Sequence, residues 1–252
     1  WIGGDEERKM KHDIVVLGGA VIDVFLDSGI SEKNGMMCLP VGAKLLIKDL
    51  HFSTGGGGTN TAVAFSKLGL KTGLVGRVGN DANGKIILRE LKKDKVDWLG
   101  KEGSEPTGFS VIIDSKQKNR TILVSKEASN HVKFSDISLK DVNSDWIYLC
   151  SAVDETFRTE IKIADFAFRK GIKIACNLSY YLAKKGGNFL RDLLNKVYVL
   201  ILNEEEAELL VGKKNLFEKL HSLGPKIVCV TREAKGSWIS DGKNFYDVKA
   251  HK

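Results

Sequence analysis

The chain is 252 residues long, 42% hydrophobic and 28% charged, with a formal net charge of +7. No apolar run approaches the roughly 20 residues that span a bilayer, and the polar start Trp1-Ile2-Gly3-Gly4-Asp5-Glu6 lacks the apolar stretch of a secretory signal. The positive charge lies on mixed stretches such as Arg89-Glu90-Leu91-Lys92-Lys93-Asp94-Lys95, with no interleaved aromatics, which argues for a solvated surface and against nucleic acid or membrane as partner.

Residues 1–9 read as a remnant ahead of a natural start at Met10, and 10–252 as a single domain large enough to bury a substantial core. The apolar run 13–19 ends in glycines, the pattern of a buried parallel strand. Residues 24–50 break into short alternating pieces around Gly35, Pro40 and Gly42, one of them at 44–48. Four glycines, Gly55 to Gly58, then run into a helical stretch that Gly69 closes. A strand at 72–76 and a helix over 84–95 follow. Residues 107–114 and 120–125 read as a hairpin around a polar turn.

From there the spacing predicts a strand at 146–150, a helix over 155–170 and a strand at 172–176. A helix over 187–195, a strand at 197–202, helices over 204–211 and 216–223 and a strand at 226–231 complete the series. A further strand is read at 244–249. That rhythm predicts an α/β fold with a doubly wound, mainly parallel sheet flanked by helices. Segments 24–50 and 107–125 break the rhythm and are expected to form a small β subdomain on one edge. Cys150, Cys176 and Cys229 lie inside strand-like runs, where a free thiol behaves as a small hydrophobe. Without a Cys pair or metal-ligand spacing, the chain reads as reduced and cytoplasmic.

The glycine run is the strongest chemical signal. Glycine lets the backbone approach a ligand closely, and a helix start adds free N–H groups and a positive dipole end. Two phosphate-loop decoys fail: Gly79 to Lys85 is followed by Ile86 where a P-loop needs Ser or Thr, and Gly18 to Asp23 lacks the Rossmann spacing. Asp23 and Asn60 would offer acceptors and a donor to a polyol in one crevice at strand and helix ends. Asn203 and Glu206 are equally well explained as the N-cap and first-turn acid of a helix.

Gly56-Gly57-Gly58-Thr59-Asn60-Thr61-Ala62, with Gly69 and Gly79 at set spacings, resembles the N-terminal signature of the ribokinase-like (PfkB-type) carbohydrate kinases. Further segments fall in the family's order. Gly18 to Asp23 looks like its first strand and sugar-binding Asp, and Val75 to Gly84 like the turn after the signature helix. Asn203-Glu204-Glu205-Glu206 looks like its Asn-x-x-Glu motif, and Val230 to Gly236 like its nucleotide-binding strand and turn.

The resemblance implies transfer of the γ-phosphate of ATP to a hydroxyl of a sugar or sugar derivative. Asp23, Gly56, Gly57, Gly58 and Asn60 would bind the substrate; Asn203, Thr231 and Gly236 the nucleotide; Glu206 would serve Mg2+. Segments 24–50 and 107–125 would form a β lid, and its exposed residues 110–113 a homodimer contact. A nucleoside kinase of the same superfamily is the alternative, with Phe25, Phe52 or Phe109 over a base. Gly57 stands where ribokinase has Lys, Ser151 where it has a substrate-contacting Glu, and Arg77 within reach of an anionic substrate group. The family's Gly-Ala-Gly-Asp segment, with its catalytic base and anion hole, would fall beyond Lys252, and the molecule is expected to carry it. A chain truly ending at 252 would instead be a non-catalytic sugar- or nucleotide-binding protein.

Overall fold

The computed structural model describes residues 12–251; the expected remnant at 1–9 lies outside them. The chain begins with β1 (His12–Leu17), β2 (Val21–Asp27) and β3 (Asp49–Gly55), then α1 (Gly57–Lys67), β4 (Thr72–Val75) and β5 (Arg77–Gly79). Next come α2 (Ala82–Lys93), β6 (Val96–Trp98), β7 (Lys101–Gly103), β8 (Gly108–Asp114) and β9 (Arg120–Ser125). The second half runs β10 (Ser144–Cys150), α3 (Asp154–Lys170), β11 (Lys173–Asn177), α4 (Tyr180–Ala183), α5 (Gly187–Leu194) and β12 (Val199–Asn203). It continues with α6 (Glu204–Val211), α7 (Leu216–Ser222), β13 (Ile227–Thr231), β14 (Ser237–Ser240) and β15 (Phe245–Val248).

The main sheet has the order β15-β14-β13-β12-β11-β10-β1-β4-β6. Every neighbouring pair from β13 to β6 is parallel, and β14 and β15 close one edge in antiparallel fashion. Strand side chains alternate between faces, so Val15 and Leu17 join one core and Val16 the other. The first core packs Ile147, Leu149, Ile174 and Leu200 under α3, α5, α6 and α7; the second packs Leu74 against Ala62 of α1 and Ile87 and Leu91 of α2. Burial on both faces is why these strands read as continuous apolar runs. On the second face Val199, Ile201, Ile227 and Cys229 of β12 and β13 are only half-buried. No helix among the described residues is long and apolar enough to cross a membrane.

A second sheet, β3-β2-β8-β9, stands beside the first. Its boundaries differ from those read for 24–50. The strands are Val21–Asp27 and Asp49–Gly55, and 28–48 holds only a bridge between Lys33 and Met36. Positive φ at Gly29, Gly35 and Gly42 keeps that stretch out of a ladder, so 44–48 is not a strand. Asp23 therefore lies on β2, in the second sheet, and not on the first strand.

Two turns fix the helices around the glycine loop. Gly69 at φ 91° follows the cap Leu68, and the N–H groups of Gly69 and Leu70 donate to Ser66 and Phe65, which satisfies the last carbonyls of α1. Asp81 caps α2 through Gly84 N–H at 2.7 Å and accepts from the Thr107 N–H and hydroxyl at 2.8 and 2.6 Å. The P-loop decoy is thus a cap tied to the second sheet. Burial works to raise the Asp81 pKa, but hydrogen bonds from Thr107, Gly84 and Asn83 outweigh it and hold it below the usual value.

Candidate functional site

The strand order reverses between β1 and β10: the chain builds outward through β4 and β6 on one side, and through β11 to β13 on the other. Open α/β sheets bind ligands at the carboxyl ends of strands beside such a switch point. A cavity of about 290 Å3 lies there, with Gly19 after β1 and Ser151 after β10 in its wall. Asp23, Gly56, Gly57 and Asn60 line it as well, so four of the five sequence-predicted substrate residues converge.

The second sheet supplies the opposite wall. Asp23 is in register with Ser53 and Ser110, and Ser110 with Val124. The cavity face therefore carries Asp23, Ser110, Ile112, Ile122 and Val124. A Cβ at Gly55 would lie 1.8 Å from Asp23 Oδ2, so this glycine makes room for the carboxylate. Asp23 has no hydrogen-bond or ion-pair partner among the described residues, which leaves its oxygens available to ligand hydroxyls.

The glycine loop is locked onto the exit of β1. Gly56 sits at φ 93°, and a Cβ there would lie 2.5 Å from the Gly19 carbonyl oxygen. Gly58 N–H donates to that oxygen at 2.9 Å. Gly58 does not line the cavity; a Cβ on it would meet the Gly18 carbonyl carbon at 2.6 Å, so the residue is glycine for close packing. The floor is fixed by Ser129, whose hydroxyl accepts from Ala20 N–H at 3.3 Å and donates to Ala20 O at 3.2 Å. Ser151 donates its hydroxyl to Ser179. Cys150, beside the glycine loop, is buried, and burial pushes its thiol up to about 12, which keeps it protonated and unreactive.

Two strands beyond β10, a groove of about 700 Å3 opens at the ends of β12 and β13, with Asn203, Thr231, Arg232 and Glu233 in its wall. Asn203 and Glu206 form a capping box: Asn203 Oδ1 accepts from Glu206 N–H at 2.8 Å, and Glu206 Oε2 accepts from Asn203 N–H at 2.9 Å. Burial pushes the Glu206 carboxyl up, against hydrogen bonds from Asn203 and Tyr180 N–H that lower it. Thr231 donates its hydroxyl to Leu202 O at 3.3 Å. Gly236 stands outside the groove wall; at φ 96° it passes Val248, whose oxygen a Cβ would meet at 2.0 Å. Its glycine is required by the tight β13–β14 turn and by the close passage of the chain at the end of β15.

The groove fits the polyphosphate of a nucleotide in part. Lys213, Arg232 and Lys235 offer cations, and the buried Nε of Arg232 has no partner while Nη2 binds Asp247 at 2.7 Å. No group of three or more His, Cys, Asp or Glu residues that could hold a metal ion occurs among the described residues. Glu206, already held by the capping box, is one carboxylate and not a preformed metal site.

Other expectations fail on geometry. Arg77 is 13% exposed and fully engaged: Nε and Nη2 donate to Glu105 Oε2 at 3.1 and 3.0 Å, and Nη1 to Asp136 Oδ2 at 2.8 Å. It braces β5 and does not line the cavity. Phe25, Phe52 and Phe109 do not line the cavity. Phe109 packs against the second core, Phe52 pairs with Val24 on the other face, and Phe25 lies further along β2 beside His51. Sequence reasoning missed Ser110, Lys126 and Ser129. The alternation of the 107–125 hairpin was the available signal for the first two.

Comparison with known proteins agrees with this architecture. The family described as pfkB family carbohydrate kinase matches residues 11–252. An uncharacterized sugar kinase of Archaeoglobus fulgidus is 23% identical over 193 residues, covering 74% of this chain and 76% of that protein. Ribokinase of Haemophilus influenzae is 25% identical, covering 92% and 75%. Ribokinase of Arabidopsis thaliana is 27% identical, covering 89% of this chain but 60% of its own length. The structure of Arabidopsis thaliana ribokinase complexed with ribose and ATP superimposes with a TM-score of 0.78 at 24% identity, covering 95% of this chain and 78% of that one. Adenosine kinase from Sinorhizobium meliloti does so at 0.79 and 19%, covering 96% and 81%. A signature loop locked onto the first strand, an acid on the neighbouring sheet and a match over nearly the whole length make one case: this chain belongs to the pfkB family of carbohydrate kinases.

Proposed function

We propose that the protein transfers the γ-phosphate of ATP to a hydroxyl of a sugar or sugar derivative. The carrying observation is the cavity at the switch point, where the unpartnered Asp23 carboxylate and Asn60 meet a glycine loop at the start of α1. Asp23 accepts hydrogen bonds from neighbouring substrate hydroxyls, Asn60 adds a donor and an acceptor, and Gly56 and Gly57 let the substrate approach the backbone.

The groove at β12 and β13 takes the nucleotide, with Asn203 and Thr231 at its inner end and Lys213 and Lys235 near the phosphates. ATP supplies the transferable phosphoryl group. Glu206 would be the residue to hold Mg2+, through the carboxylate oxygen that does not bond Asn203 N–H, and the ion would offset the charge of the phosphates. The cavity at β1 and β10 and the groove at β12 and β13 lie three strand spacings apart, about 14 Å, at the same end of one sheet. The β2-β3-β8-β9 sheet serves as a lid that excludes water and limits idle ATP hydrolysis. Residues 110–113 are not the exposed pairing surface expected of them, because β8 is an inner strand with Ser110 and Ile112 buried; the exposed edge strand β9 instead gives two copies a surface to pair through.

A coupled ADP-release assay over pentoses, hexoses, sugar acids, sugar phosphates and nucleosides tests the reading. Turnover with one sugar class is expected. ATP binding with no turnover on any acceptor would sink it.

A further inference from the structure

Two charged side chains line the cavity at the switch point: Asp23 and Lys126. Lys126 directly follows β9 and continues the alternation of Ile122 and Val124, which brings it onto the same wall. Its ammonium lies 5.7 Å from the centre of the Tyr181 ring. The ammonium makes no hydrogen bond or ion pair with any described residue. The lysine also borders the adjoining surface hollow that holds Tyr181, so a ligand can reach it.

The acids whose fields act on Lys126 are Glu160 of α3 and Asp154 at the start of that helix. Glu160 is 1% exposed, and its Oε1 has no partner. Burial pushes its carboxyl well above the usual range, and Lys126 only partly opposes that shift. Asp154 is shared with Asn130, whose Nδ2 donates to it at 3.4 Å. Burial also works against the Lys126 charge itself. A partly desolvated ammonium without a hydrogen-bonding or ion-pair partner gains from an anion that arrives with the ligand.

We propose that Lys126 binds an anionic oxygen group of the acceptor, a carboxylate or a phosphate, so that the substrate is an acidic sugar derivative. The inference rests on the sugar-kinase reading of this cavity. Asp23 stands on β2 and Lys126 follows β9, two strands away in the sheet order and thus about 10 Å across. Hydroxyls meet the carboxylate at one end of the cavity, and the anion meets the lysine at the other. Ser110 of β8 stands in register between Asp23 and Val124, while Ile112 and Ile122 extend the same wall as an apolar surface away from the lysine.

The test uses the protein at the full length of its gene. ADP release is followed with matched acceptors of five and six carbons: free sugars, the corresponding sugar acids and the corresponding sugar phosphates. Binding of the same compounds without ATP is measured by calorimetry at several salt concentrations. The best acid or phosphate is expected to exceed its neutral partner at least tenfold in kcat/KM and to bind more weakly as salt rises. Lys126→Met should raise its KM about ten- to hundredfold, with kcat changed much less, and bring the anionic-to-neutral ratio close to one. Lys126→Arg should retain most of the preference. Whether acids or phosphates win identifies the anion.

A wild-type preference for neutral sugars would overturn the proposal, as would a Lys126→Met effect equal on both members of a pair. Turnover with no acceptor would refute the kinase reading by itself, and calorimetry would then judge Lys126. Salt-sensitive binding of an acid or phosphate that Lys126→Met abolishes would uphold the anion site, and no anion binding would refute it.

Discussion

Asp23 and Asp81 show how one residue type serves two ends. Asp23 lies over Gly55 with its oxygens unspent, whereas Asp81 spends both of its oxygens on α2 and on Thr107. Asp23→Asn should leave the thermal midpoint within about 2 °C of wild type. It should cost about a hundredfold in kcat/KM, since hydrogen bonds to a charged group are worth roughly 1.5–3 kcal/mol each. Gly55→Ala should lose activity together with stability, because the new Cβ collides with the same carboxylate. For Asp81 the folded pKa is lowered, so its stabilisation is present above the unfolded value near 3.8 and is lost as pH falls through the lower folded value. Asp81→Ala should cost about 1–2 kcal/mol at pH 7 through the lost cap and flatten the acid limb of a stability-against-pH curve. An unchanged acid limb would refute that assignment.

Elements are held by features that act at their ends. The left-handed conformation of Gly69 terminates α1 in open space, and a Cβ at this position would have nothing within 4 Å. Gly69→Ala therefore carries a purely conformational penalty of about 1 kcal/mol, which thermal denaturation should read as about 2–4 °C at this size. Gly69→Asn should lose less. Arg77 clamps β5 to the segments carrying Glu105 and Asp136. Arg77→Met leaves two partly buried carboxylates without their cation and should destabilise by about 2 kcal/mol, with the KM for acceptor unchanged. A raised KM at intact stability would return Arg77 to the substrate site.

At the scale of the molecule, one rigid sheet carries both binding regions and a second sheet stands over one of them. β9 is exposed along its whole length, and its cavity-facing Ile122 and Val124 are 47% and 53% exposed. If the second sheet closes on bound acceptor, amide exchange over 120–125 should slow several-fold on ligand addition, while β1 and β10 stay unchanged. Equal exchange with and without ligand would refute the closure.

The periodic features were legible in the chain alone. The alternation of apolar runs and amphipathic stretches dictates strands and helices locally, and residues 146–231 show that alternation without long insertions. The glycine signature was legible because a tight backbone turn tolerates no substitute, as Gly56 shows. Whatever depends on register and on contacts distant in sequence came from the fold. Asp23 belongs to the second sheet because β2 pairs with β3 and β8. Gly58 serves packing because Gly18 lies against it, and Asn203 and Glu206 are tied in a capping box that spacing alone left open. Lys126 reaches the cavity because β9 aligns with β8 at one particular register, and a shift of one residue would have turned it to the other face. Short-range preferences write the order of elements, but long-range pairing sets which side chains meet.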